Sequence, residues 1–231
     1  MDSRTPPAGE GSPLKPLLVC CYPEDGRFFL PDFCAGIPGL APWEAAVSQS
    51  AAERGWGRAL AAGGPTFHEA EADRLLARLP LFDLLVVAPL SLNSLAKFAL
   101  GLRDSLPARV FGAMADLGRP ILLEGSVLPR EDSRLNPHFA KIYRRYWDTL
   151  RGGTITDFTR DTFAGVVGRL LRTRRALQGK PPLAAGRGVL TRDDVLEAFR
   201  AMQPLVVPRG ALLTDLAREE AEARGVPLQF E

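Results

Sequence analysis

The run LFDLLVVAP (81–89) is apolar at almost every position and leads directly into LSLNSLAKFAL. Successive side chains of a strand point to opposite faces, so an apolar strand of this kind predicts cover on both sides. PLLVCCY (16–22) and RPILLEG (119–125) read as further buried strands. WEAAVSQSA (43–51) reads as a strand ending in Ser48 and Ser50, and GGTITDF as a short strand candidate.

Between these runs the apolar period changes to that of a helix. Leu92, Leu95, Ala96, Ala99 and Leu102 form one stripe, and Leu106, Val110, Met114 and Leu117 a second, opening at Pro107 and closing at Gly118. Phe139, Ile142, Tyr143, Tyr146 and Leu150 mark a third helix, and Phe163, Val166, Val167, Leu170 and Leu171 a fourth. Strands alternating with helices predict an α/β fold: a three-layer, doubly wound parallel sheet of Rossmann-like form.

Residues 1–13, rich in Pro and Gly, are expected to be a disordered lead-in with no secretory signal. Residues 14–178 are read as the α/β domain, and EDGRFFLPDFCAGIPGLAP inside it as irregular, interrupted by Pro31, Pro38 and Pro42. Residues 179–231 are read as a linker followed by a small α/β appendage. In that appendage Thr191 and Asp194 frame a capped helix, and Gly225 ends another.

A net charge of +2 gives no electrostatic reason to expect nucleic acid as a partner. No apolar run reaches the roughly 18 residues of a membrane helix. Cys20 and Cys21 are adjacent and therefore face opposite ways, which fits neither a CxxC redox pair nor a zinc site. With Cys34 they read as reduced, structural thiols of a cytoplasmic protein.

In a doubly wound sheet, ligands bind beyond the carboxyl ends of the strands. Ser48, Ser50, Ser91, Asn93 and Ser94 are placed there, where hydroxyls, an amide and helix N-termini meet a phosphate or the carbonyls of a heterocycle. Helix capping accounts for one or two of these five residues. No HExxH, GxxxxGK[ST] or GxSxG pattern occurs, and His68 and His138 stand far apart in polar segments.

PLSLNSLAKFALGLRDSLPAR resembles the PASANT-x-x-K-x-A-x-G-x-A-D-N-L signature of the homo-oligomeric flavin-containing cysteine decarboxylase superfamily. Pro89, Ser91, Asn93, Ser94, Lys97, Ala99, Gly101, Asp104 and Leu106 match it, and the resemblance extends over roughly residues 16–178. It implies FMN held non-covalently, with Ser48, Ser50, Ser91, Asn93, Ser94, Asp104 and Ser105 toward the cofactor, and a homo-oligomer, a trimer or a multiple of it. Phe98, Leu100 and Phe111 lie off the buried stripes and are expected on the partner surface. The ending ALLTDLAREEAEARGVPLQF resembles those of proteins encoded with bacterial microcompartments, which implies such a setting.

The chain also departs from that pattern. CCYPEDGRFFLPDF stands where the superfamily has a Gly-Ser phosphate loop, and EGSVLPREDSRLNPHFAKIY lacks the P-x-M-N-x-x-M-W carboxylate clamp. The reading is an FMN-binding flavoprotein for electron transfer or another flavin-dependent reaction. One alternative is a decarboxylase of a cysteine-type substrate with His68 as its acid or base. The other is a non-catalytic interaction module with a degenerate flavin site.

Overall fold

The apolar runs become neighbouring parallel strands in the computed structural model, which describes residues 13–23, 34, 36–61, 63–129, 135–178, 183–184, 188–201 and 203–230. The expected lead-in, apart from Pro13, lies outside the described residues, as do residues 24–33 of the irregular segment.

In chain order the body comprises β1 (Pro16–Cys20), β2 (Glu44–Val47), α1 (Gln49–Glu53), α2 (Trp56–Leu60), β3 (Thr66–Phe67), α3 (Ala72–Leu76) and β4 (Leu84–Val87). It continues with α4 (Leu92–Ala99), α5 (Leu106–Asp116), β5 (Ile121–Glu124), α6 (Pro137–Leu150), β6 (Ile155–Phe158) and α7 (Phe163–Gln178). The sheet order is β3-β2-β1-β4-β5-β6, and every pairing is parallel. β1, β2, β4 and β5 are buried along their whole length.

Alternation along the strands sorts the core into two layers. Leu17 and Val19 pack with Leu95, Val110, Met114 and Trp147 on one face. Leu18 and Cys20 pack with Trp56, Leu60, Phe163 and Val167 on the other. Cys20 and Cys21 therefore enter opposite layers, and all three cysteines are buried thiols outside any disulfide. The expected three-layer, doubly wound architecture is the one observed.

The C-terminal unit has its own core of Leu190, Val195, Ala198, Leu205, Ala217 and Val226. Its elements are β7 (Leu183–Ala184), β8 (Val189–Leu190), α8 (Arg192–Ala201), β9 (Leu205–Val207), β10 (Leu212–Leu213), α9 (Asp215–Arg224) and β11 (Leu228–Phe230). They pair in parallel as β10-β8 and β11-β9-β7. The unit docks closely on the body. Gly118 has φ +63°, and a Cβ there would lie 2.1 Å from the carbonyl oxygen of Glu222. Only glycine meets both demands.

Three sequence expectations are corrected. The strand expected over 43–51 stops at Val47, because Ser48 caps α1 and places Ser50 on that helix's exposed first turn. Phe98 and Phe111, expected on a partner surface, are 4% and 5% exposed. Their rings stack at 4.2 Å and 2°, a contact worth about 0.5–1.5 kcal/mol beyond burial. Leu100 is exposed as expected, at 58%, and Leu102, expected in the core, is 47% exposed.

Candidate functional site at the carboxyl ends of the strands

The chain runs β1 to β2 to β3 in one direction along the sheet and resumes with β4 on the other side of β1. That reversal opens a crevice beyond the carboxyl ends of β1 and β4. Its floor is tied by backbone bonds. Ser48 N–H donates to Cys20 O at 2.9 Å, Ala88 N–H to Val19 O at 3.0 Å and Cys21 N–H to Pro89 O at 2.9 Å. The Cys20 thiol donates to Ala88 O at 3.1 Å. Burial pushes that thiol well above its ordinary range, with Cys21 and Cys34 adding to the effect. It is a packing group rather than a nucleophile.

Helix tips flank the floor. Ser91 caps α4, its hydroxyl accepting from Ser94 N–H at 3.1 Å and donating to the Ser94 hydroxyl at 3.0 Å. Both serines are buried. Asn93 is exposed in the same first turn. Ser48 caps α1 by accepting from Ala51 N–H at 3.3 Å. β2 and β4 are two strand spacings apart, about 10 Å. α1 packs on one face of the sheet and α4 on the other, so the two tips flank the carboxyl end of β1 from opposite sides.

The other sequence-derived candidates lie further out. Asp104 is exposed and bonded to Lys97 Nζ at 2.9 Å, which holds its carboxyl below the usual carboxylate range. The pair closes the loop between α4 and α5. Ser105 occupies the cap position of α5 without capping it. Glu69 does that work instead, its Oε2 accepting from Leu106 N–H at 2.7 Å.

His68 follows β3, three strand spacings (about 14 Å) from β4. It opens a 3₁₀ turn through a capping box with Glu71. Its ring lies over Gly57, where a Cβ would meet Cε1 at 2.5 Å. His68 lines a separate cleft of about 780 Å³ with Ala52, Glu53, Arg58 and Thr66.

Sequence reasoning missed two features at this edge. Tyr22, just past β1, packs on Trp56 at 5.3 Å, and Arg54 lies over its ring and donates to its hydroxyl at 3.2 Å. Glu124, the last residue of β5, is 6% exposed. Its carboxylate accepts from Ser126 N–H at 2.9 Å and from the Ser126 hydroxyl at 2.6 Å. The acid that closes the apolar run ILLE before Gly-Ser was the available signal.

The part of the chain that spans this edge from α1 past β5 has a recognisable family pattern. Residues 51–135 match the Flavoprotein family. That stretch carries Ser91, Asn93, Ser94, His68 and Asp104, whereas Ser48 and Ser50 precede it.

Among solved structures, apo DmrB of Burkholderia xenovorans, described as a cubic protein cage for redox transfer, is 20% identical with a TM-score of 0.55. That match covers 71% of this chain and 99% of DmrB. DmrB in complex with FMN matches with 20% identity and a TM-score of 0.54 over 70% of this chain and 97% of DmrB. The FMN-binding protein AtHal3 is 19% identical with a TM-score of 0.50, over 69% of this chain and 97% of AtHal3. At these identities the likeness is one of fold. Among curated proteins none matches this chain.

Proposed function

We propose that the chain is an FMN-binding flavoprotein that holds the cofactor non-covalently in the crevice between the tips of α1 and α4. The observation that carries this reading is the reversal of strand order, with a hydroxyl-capped helix tip on each side of it and Asn93 exposed on one. The donor set fits the group. Helix N-termini and serine hydroxyls suit a phosphate, and a carboxamide suits the donor and acceptor edge of a flavin ring.

FMN, when bound, supplies one- or two-electron transfer, and the protein's part is orientation and electrostatics. Ser91 and Ser94 hold each other and fix the α4 tip, and Asn93 orients the ligand beside it. Ser48 and Ser50 face the crevice from α1, and Asp104 with Ser105 sets its outer rim through the bond to Lys97.

Glu124 favours redox transfer over decarboxylation of a cysteine-type substrate. A buried carboxylate ends β5, just before the segment where the resemblance looks for a carboxylate clamp, and its charge opposes a substrate carboxylate. His68, on the β3 side, is set apart from this crevice, and in the proposal it serves a flavin held by a neighbouring subunit. The proposal includes a homotrimer, as the resemblance implies, and a microcompartment setting suggested by the ending of the chain. Flavin absorbance of the purified protein, with the mass of the released ligand, tests the cofactor. A colourless, folded protein that takes up no added FMN overturns the reading, and a 25 kDa particle in light scattering overturns the trimer.

A further inference from the structure

A second cleft opens at the opposite edge of the sheet, where the C-terminal unit meets the body. Its volume is about 730 Å³, within the ~300–1,000 Å³ typical of small-molecule sites, which favour junctions between structural units. Leu84, Leu117, Leu170, Val226 and Leu228 contribute apolar wall, and Arg119, Arg174 and Arg224 contribute positive charge against the carboxylates of Asp83 and Glu222.

Neither arginine has its full set of acceptors. Arg119 donates from Nη2 to the neutral carbonyl of Pro80 at 3.3 Å, and its Nε is buried without an acceptor. Among the described residues no carboxylate pairs with it. The Nη1 of Arg174 is also buried without a hydrogen bond. The carboxylate beside it, Asp83, stands 3.6 Å away and already accepts from Lys15 N–H at 2.9 Å. Guanidinium N–H groups left without acceptors in a largely apolar cleft are costly, and an oxyanion is the group they pair best.

We propose that this cleft binds a small molecule carrying one oxyanion head, carboxylate or phosphate, on an apolar body, with Arg119 and Arg174 taking the head. The site stands apart from the flavin crevice and does not depend on it.

Calorimetric titration of the full-length protein with octanoate, inorganic phosphate and octylamine tests the assignment. Octanoate is expected to bind saturably, and Arg119→Gln and Arg174→Gln to weaken it at least tenfold with flavin content unchanged. Thr173→Asp, which adds a negative charge on an exposed lining position and removes no contact of either arginine, is expected to weaken it as well. Phosphate binding that matches octanoate and falls in the same variants assigns the head to phosphate. The proposal is overturned if neither anion binds, if octylamine binds as tightly as octanoate, or if all three variants bind like the parent.

Discussion

At the amino-terminal edge of the sheet, the buried carboxylate of Glu44 takes Lys15 at 3.0 Å and Arg78 at 2.8 Å, tying the entry of β1 and the turn after α3 to β2. At the carboxyl edge, the hydroxyls of Ser48 and Ser91 serve their own turns, bonding Ala51 and Ser94. Side chains hold the first edge through long-range ion pairs, whereas at the second the serine side chains cap their own helices over a floor tied by backbone bonds. A capped helix tip keeps its shape without borrowing distant side chains, so neighbouring groups such as Asn93 stay available to a ligand. In the proposed reading the carboxyl edge offers its helix tips to the cofactor, while Glu44 at the amino edge serves stability.

The comparison breaks most easily at Glu44. Glu44→Gln removes the negative charge that Lys15 and Arg78 share, and chemical denaturation is expected to show a loss of about 2–3 kcal/mol. A loss below about 0.5 kcal/mol would mean that the amino edge is not held by these pairs. Gly118→Ala comes next. Its left-handed backbone and the Glu222 carbonyl both oppose a Cβ, so a loss of about 1–3 kcal/mol is expected. Faster proteolysis of the C-terminal unit would accompany it.

Asn93→Ala sharpens the other side. The side chain is exposed, so stability is expected to change by less than about 0.5 kcal/mol. FMN affinity is expected to fall about ten- to a hundredfold, by the loss of about 1–3 kcal/mol of binding. Unchanged flavin titration in that variant would remove Asn93 from the site.

The smallest effect concerns Asp104. Lys97 lowers its folded-state pKa. The stabilisation is therefore present above the unfolded value, about 3.9, and is lost as pH falls through the lower folded value. Asp104→Asn is expected to flatten slightly the acid limb of a thermal-melting series, and an identical acid limb would show that the pair adds nothing.

Much of the body was legible because a strand buried on both faces has to be apolar throughout, as LLVV and ILLE are. The α4 tip was legible for a related reason. Ser91 stands directly after such a strand and three residues before Ser94, which its hydroxyl caps. Other parts were hidden by packing between elements. A stripe analysis grants a helix one buried face, but α4 and α5 also pack on each other, which buries Phe98 and Phe111 on a second. The two-residue β3 carries too little pattern to be read, and with it went the place of His68 at the sheet's edge.

Local alternation and capping chemistry act over a few residues, so the sequence alone determined the parallel strands, the helices between them and the hydroxyl-rich turn at Ser91. Strand order, the close approach of Gly118 to Glu222 and the burial of Glu124 bring together residues distant in the chain. No short-range pattern encodes those distances. Only the tertiary structure decided that the caps of α1 and α4 flank β1 from neighbouring strands, that His68 stands at the β3 edge, and that the C-terminal unit closes a cleft behind the sheet.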